Sequence, residues 1–278
     1  MTDPWELAHA AAERASVALR ALVSVEECDA SLRVMAATWG EHSLVPREMV
    51  RALGESGNEP WGAFEGSELV GFVLGWAGVD EGGLHVHSHM LAVVPGRRHG
   101  GVGFALKVAQ RAQALEKGIG VVRWTFDPLV ARNAYFNLHK LGAVVDRFGR
   151  DFYGEMTDVL NRGDRSDRGV IRWDLAPEPG PRTGASSEGP VAVRRHGDRP
   201  EVLGSVVLGG AVVEVPEDFA ALRERDPEAA RAWRDVVAQA FDEAMGSGLV
   251  ASAFDRGRGA YVFAPGGSPT AVATAGTP

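Results

Sequence analysis

The chain has 278 residues, of which 45% are hydrophobic, and a formal net charge of −8, enough for one large domain or an ordinary domain with a smaller companion. Its single cysteine, Cys28, excludes a disulfide framework or a cysteine-based zinc site within one chain, which fits a reducing, cytoplasmic setting. No apolar run reaches membrane length, the acidic start "MTDPWELAHAAAERAS" lacks the core of a signal peptide, and basic residues gather only in short clusters such as Arg97-Arg98 and Arg194-Arg195. Neither a membrane nor a nucleic acid is therefore expected as a partner.

In chain order, "RALVSV" near Arg20 reads as a strand, followed by a helix from about Glu26 to Trp39 and a second helix opening at Pro46. "PWGAFEGSELVGFVLGWAG" reads as two strands joined by a tight turn at Glu65-Gly66-Ser67. "LHVHSHMLAVV" is a further strand, leading into a glycine-rich stretch and a helix that runs to about Lys117. Next come a buried strand "GVVRWTF", a helix "PLVARNAYFNLHKLG" and two strands, "AVVDRFGRDFYGEM" and "GVIRWDL". Strand pairs mixed with strand-helix-strand crossovers predict a mixed α/β or α+β sheet. Proline, glycine and serine dominate residues 176–190, read as a linker, so the expected organisation is a domain over 1–175 and a small α/β region over 191–278. In that last region "AVVEVP", "GLVASAF" and "RGAYVFAP" read as strands around one strong helix. Asp226-Pro227 opens that helix, Trp233, Val237, Ala240, Phe241 and Ala244 line one face of it, and Gly246 and Gly248 stop it.

The stretch "VVPGRRHGGVGFALKVAQ" places glycines where an apolar strand meets a long helix. Glycine permits close backbone approach there, and the helix start offers unpaired N–H groups and the positive end of its dipole, a seat for an anion. Arg98-His99-Gly100-Gly101-Val102-Gly103 fits R-x-x-G-x-G. A dinucleotide fingerprint would need glycine where Leu106 stands, and no Gly-Lys-Ser/Thr of a P-loop follows. The longer run V-x-P-x-x-R-x-x-G-x-G-x-x-L resembles the signature of the GCN5-related N-acetyltransferase (GNAT) superfamily, and the element order from about Arg20 to Leu175 is similar to that whole fold. The resemblance implies a splayed mixed sheet and a loop, Arg98 to Gly103, that binds the pyrophosphate of acetyl-CoA or another acyl-CoA such as succinyl-CoA. It also implies that free amides near Leu91, Ala92 and Val93 hold the pantetheine arm as an added strand.

Other positions depart from that pattern. Where the family places a tyrosine acid four residues before the helix-closing glycine, Gly142 is preceded by Leu138, and Tyr135 lies three residues earlier, about one turn away. The family's asparagine slot holds Ala131, with Asn133 two places on. His85, His87 and His89 alternate and share one face of a regular strand. Such a face can chelate a metal, although no cysteine or well-placed carboxylate completes a site and no metal is expected. Histidine also suits deprotonation of an ammonium near neutral pH, and the resembling family commonly supplies its base from this strand, at a position mapping to His89. His89 or His87 is thus the candidate base, with packing by backbone contacts as the competing role. Asp127, followed by Pro128, is either a helix cap or a carboxylate facing the acceptor; Asn137 and Tyr153 are weaker candidates.

Together these readings imply an acyl-CoA-dependent N-acyltransferase, most simply an acetyltransferase, acting by direct attack on a small-molecule primary amine such as an amino acid. "RNAYFNLHKLGA" and "LNRGDRSDR" are similar to a sparsely described branch of the superfamily proposed to acylate amino acids. A non-catalytic acyl-CoA sensor and a histidine-based metal hydrolase are the alternatives, and a homodimer is compatible with the apolar C-terminal helix.

Overall fold

A computed structural model describes residues 3–41, 44–98, 100–176, 178–181, 187–207 and 210–266. The elements in chain order are α1 (Glu6–Ala15), β1 (Ala18–Ala21), α2 (Val25–Trp39), α3 (Arg47–Glu55), β2 (Trp61–Glu65), β3 (Glu68–Asp80), β4 (Gly83–Val93), α4 (Val102–Glu116), β5 (Val121–Phe126), α5 (Ala131–Ala134) running into a π-helical turn (Tyr135–Lys140), β6 (Val144–Gly149) and β7 (Arg168–Asp174). Beyond the proline- and glycine-rich segment follow β8 (Val191–His196), β9 (Arg199–Val202), β10 (Val212–Glu214), α6 (Phe219–Arg225), α7 (Pro227–Gly246), β11 (Leu249–Asp255) and β12 (Ala260–Pro265).

Local chemistry sets most of these boundaries. α2 starts on a capping box, in which Glu27 N–H donates to Ser24 Oγ at 3.1 Å and Ser24 N–H donates to Glu27 Oε2 at 3.0 Å. α7 opens as its sequence predicts: Ala229 N–H donates to Asp226 Oδ1 at 2.9 Å, Pro227 fills the first turn, and all five residues of the apolar face are buried. α1, β8, β9 and α6 were not anticipated. α1 is short and alanine-rich, and it gains its stability from packing Ala8 and Ala11 against Ala105 and Ala109 of α4.

The strands form one sheet in the order β1-β2-β3-β4-β5-β7-β6-β11-β12-β10-β8-β9, so the strands on both sides of residues 176–190 are joined through the pair Ala251 and Val145. α2 and α3 pack with Leu22, Phe64, Phe72 and Leu74, and α1 and α4 pack with a separate set that includes Ala63, Val70 and Val73. A larger apolar cluster joins Trp124, Leu138, Val145 and Trp173 to Trp233, Phe241, Tyr261 and Phe263, so the C-terminal strands and α7 share a core with β5 to β7. Tyr261 buries its ring there and donates its hydroxyl to the Pro128 carbonyl at 2.7 Å.

Candidate functional site

β4 and β5 run parallel but pair only at Val86 with Val122 and His87 with Arg123. Beyond that point they diverge, and the gap opens into a cleft of about 840 Å³, a size suited to a small-molecule site. The divergence begins at a β-bulge. Met90 faces Leu74 and Ser88 faces Gly75, which leaves His89 as the extra residue on β4. Gly75 is required beside the bulge, because a Cβ there would lie 2.6 Å from the His87 carbonyl oxygen.

The far end of β4 presents a bare backbone edge to the gap. Val94 N–H donates to the Val70 carbonyl at 2.9 Å. Alternation then turns Ala92 toward β3 and Leu91 and Val93 toward the cleft. The expected amide edge therefore belongs to Leu91 and Val93, while Ala92 is committed to the sheet. Just past this edge Gly101 caps α4 at φ +85°, a left-handed conformation that L side chains rarely adopt. The N–H groups of Val102 and Gly103 thus start α4 beside this edge without helical partners, whereas Phe104 N–H donates to the Gly101 carbonyl at 3.0 Å. A Cβ on Gly103 would touch only Val93 Cγ2 at 3.9 Å and Leu91 Cδ2 at 4.0 Å, so the missing side chain leaves open space over the β4 edge. Arg98 is exposed and donates Nε–H to the Val93 carbonyl at 3.2 Å. His99 falls outside the described residues.

The histidine face is only partly as expected. His87 and His89 have ring centroids 5.9 Å apart, and each lies 5.1 Å from Trp76. His85 instead turns to the hairpin, with Nδ1 3.2 Å from the Gly83 carbonyl and 3.8 Å from Asp80. Burial lowers the pKa of both His87 and His89, and for His87 the neighbouring His89, His85 and Lys107 push the same way. Both imidazoles are therefore neutral at pH 7, the form that accepts a proton. Only His89 lines the cleft. Among the described residues no three or more His, Cys, Asp or Glu side chains are grouped to hold a metal ion.

At the vertex of the splay lies a residue that the sequence reading passed over. Lys107 of α4 is 2% exposed, donates from Nζ to Gln110 Oε1 at 2.9 Å and Ser88 Oγ at 3.1 Å, and stands 3.7 Å above the Trp124 ring. Burial drives its pKa well below that of an ordinary lysine.

The opposite wall is assembled from distant segments: the end of α2 at Trp39, the start of α5, the long β6–β7 loop, and residues 217–220 and 223 at α6. Asp127 lines this wall with both oxygens engaged, Arg234 of α7 gripping it through Nη1–Oδ1 at 2.7 Å and Nη2–Oδ2 at 2.9 Å, while Leu129 N–H donates to Oδ1 at 2.9 Å. Asp127 thus accepts the N–H of a turn but is not the helix cap that one of its two readings held, because α5 starts later, at Ala131, with Val130 at its N-cap position. Arg234 also reaches Asp164 Oδ2 at 2.5 Å, and Arg223 donates to the carbonyls of Leu160 and Arg162 at 2.9 and 2.7 Å. These bonds fasten the β6–β7 loop to α6 and α7.

Tyr135 does not line the cleft. Tyr135 opens the π-helical turn and packs away from the cleft against the apolar cluster of the C-terminal strands, where it stacks on His139 at 4.7 Å and lies 5.2 Å from the Arg256 guanidinium. Phe136 and Asn137 turn inward instead, and Ala131 and Asn133 line the same wall. The phenol that does reach the cleft is Tyr153, whose Oη lies 2.8 Å from Thr125 Oγ1.

The fold is thus a mixed sheet splayed between two parallel strands, with a glycine-started helix at the mouth of the gap. No protein-family model matches the sequence, and no curated protein matches it. Among solved structures, an acetyltransferase from Desulfovibrio desulfuricans named to the GNAT family is similar at 19% identity and TM-score 0.44, over 58% of this chain and 99% of that one. The ribosomal-protein-S18-alanine N-acetyltransferase of Escherichia coli is similar at 13% identity and TM-score 0.46, over 58% and 95%. An acetyltransferase from Salmonella typhimurium, solved with its cofactor acetyl-CoA, is similar at 18% identity and TM-score 0.46, over 60% and 98%. These are likenesses of fold alone.

Proposed function

We propose that the protein is an acyl-CoA-dependent N-acyltransferase, in the simplest case an acetyltransferase, whose acceptor is the primary amine of a small molecule such as an amino acid. The observation that carries this reading is the coincidence of the β4–β5 splay, the outward backbone edge of Leu91 and Val93, and the glycine-started α4 at its mouth. Unpaired helix N–H groups suit a pyrophosphate, the strand edge suits an amide-bearing arm, and the bare Gly103 leaves room for both.

Acyl-CoA, when bound, supplies a thioester carbonyl for the amine to attack and loses coenzyme A. His89 takes a proton from the acceptor's ammonium and so frees the neutral amine for attack, since it is neutral near pH 7 and opens onto the cleft. Backbone N–H on the Leu91–Val93 edge polarises the carbonyl, as oxyanion donors do. Tyr153, in place of Tyr135, is positioned to return a proton to the departing thiolate. Asp127 acts through position, holding the cleft wall to α7. The enclosing wall of the β6–β7 loop and α6 favours a small acceptor over an extended polymer. Coenzyme A release from acetyl-CoA with a panel of small amines tests the reading; acetyl-CoA binding without release for any amine would favour a sensor.

A further inference from the structure

Arg168 opens β7 beside Asp127 on the acceptor wall, and it is only 5% exposed. Its guanidinium is held from behind: Nη1 donates to the Asp167 carbonyl at 2.9 Å, and Nη2 donates to Asn161 Oδ1 at 2.7 Å with Met156 Sδ at 3.0 Å. Asn161 is fixed in turn, because its Nδ2 donates to both oxygens of Asp158 at 2.9 Å, which leaves Oδ1 to face the arginine. Among the described residues no carboxylate lies within ion-pair distance of Arg168 and no hydrogen bond is made by its Nε–H; Asp127 and Asp158 act on its charge only from farther off, and the Tyr153 ring centre lies 5.8 Å from its guanidinium carbon. Its neighbours are treated differently. Arg234 takes Asp127 and Asp164, and Arg165 takes Asp167 and Asp235.

Arginine stays protonated even where burial opposes its charge, as it does here. A buried cation without a paired carboxylate is costly, and the cost falls when an anion enters from the open side. The planar fork of the guanidinium matches a carboxylate, with charge-assisted bonds stronger than neutral ones. The rest of the cleft selects among anions. Asp127, Asp158, Glu217 and Asp218 all line it and disfavour a dianion such as phosphate, whereas a ligand that brings an ammonium together with its carboxylate complements both signs.

We infer that Arg168 is the receptor for a free carboxylate on the acceptor, so that the amine acylated belongs to an amino acid and not to an uncharged or polycationic amine. The placement of the amine at His89 rests on the acyltransfer reading above; the carboxylate site does not.

The test pairs acids with their amides on the full chain. Thermal stability and calorimetric affinity are measured with coenzyme A present for glycine, leucine, phenylalanine and glutamate, each beside its α-amide, and for inorganic phosphate. The expected result is that at least one amino acid binds roughly ten- to hundredfold more tightly than its amide, the range for losing a hydrogen-bonded charge partner. Arg168→Gln should erase that ratio while retaining coenzyme A affinity, and Arg168→Lys should keep part of it. Equal affinity for every acid and amide, no binding by any amino acid, phosphate binding tighter than all of them, or an unchanged ratio in a folded Arg168→Gln would each overturn the inference. If Arg168→Gln does not fold, the wild-type ratio and Arg168→Lys decide. Failure of acetyl-CoA to bind would remove the acyltransfer reading alone, since the acid-to-amide ratio can also be measured without coenzyme A.

Discussion

The two sides of the cleft are built in opposite ways. The proposed donor side, from the bulge at His89 through Leu91 and Val93 to Gly101 and Gly103, comes from one contiguous stretch and works mainly through backbone groups. The proposed acceptor side uses side chains from α2, α5, the β6–β7 loop, β7 and α6, locked by ion pairs such as Arg234 with Asp127, which are 107 residues apart. Backbone recognition is written locally, in glycines and strand ends. Side-chain recognition depends on which distant segments the fold brings together, and here α6 and α7 complete a wall that the first seven strands leave open.

Cutting the lock between the two parts should have the largest effect. Arg234 is 3% exposed, and Arg234→Ala would leave Asp127 and Asp164 partly buried without their cation. Breaking such a pair from one side costs about 3–5 kcal/mol. Urea denaturation should show a loss of that order, and any folded fraction should bind acetyl-CoA normally but acceptor weakly. A loss below about 1 kcal/mol would mean that the acceptor wall does not depend on α7.

Removing the proposed base on the donor side should have the next largest effect. His89→Ala should lower kcat about a hundredfold, within the usual range for general base catalysis, and leave acetyl-CoA affinity unchanged. Because burial depresses the His89 pKa, the acid limb of the wild-type profile should inflect below pH 6.5, with the rate falling as the imidazole gains its proton. The variant should lose that limb. A wild-type inflection above pH 6.5 would point to another base.

The smallest expected effect comes from Lys107, at the vertex between the two sides. Its folded pKa lies well below that of an ordinary lysine, so the unfolded chain binds the extra proton. Stability should therefore rise with pH between the folded and the unfolded value, by at most about 1.4 kcal/mol per pH unit. Lys107→Met should be more stable than wild type at pH 7, and its advantage should shrink as the pH approaches 10. Comparing the two proteins cancels the contribution of Cys28, whose buried thiol has a raised pKa and pushes stability the other way above pH 9. An advantage that does not change with pH would show that Lys107 is charged in the folded protein.

The asymmetry between the two sides also explains what the sequence made legible. Gly101 before α4 and the Asp226-Pro227 opening of α7 follow from residue types at fixed spacing, and the structure has both there. The Leu91–Val93 edge was implied only by the family resemblance, and the capping box of α2 emerged only in the fold. The histidine alternation was legible, but the bulge that makes His89 the extra residue depends on pairing with β3 and leaves no local mark. Tyr135 was misdirected by a regular helical period, which the π-helical turn interrupts. Arg168 and Tyr153 gain meaning only when the β6–β7 loop folds over the end of β5. Lys107 did carry a signal, a lone charge between Ala105-Leu106 and Val108-Ala109 on a helix otherwise apolar there.

Whether the splay and the start of α4 form an acyl-CoA site is decided by titrating acetyl-CoA into the wild-type protein and into Gly103→Leu by calorimetry. Position 103 has ordinary backbone torsions and open space for a Cβ, so the variant should keep its fold and thermal stability. The wild type should bind saturably and one-to-one, and the variant at least about a hundredfold more weakly, because the leucine side chain fills the volume over the helix N–H groups. No binding by the wild type, or equal affinity in a folded Gly103→Leu, would contradict such a site.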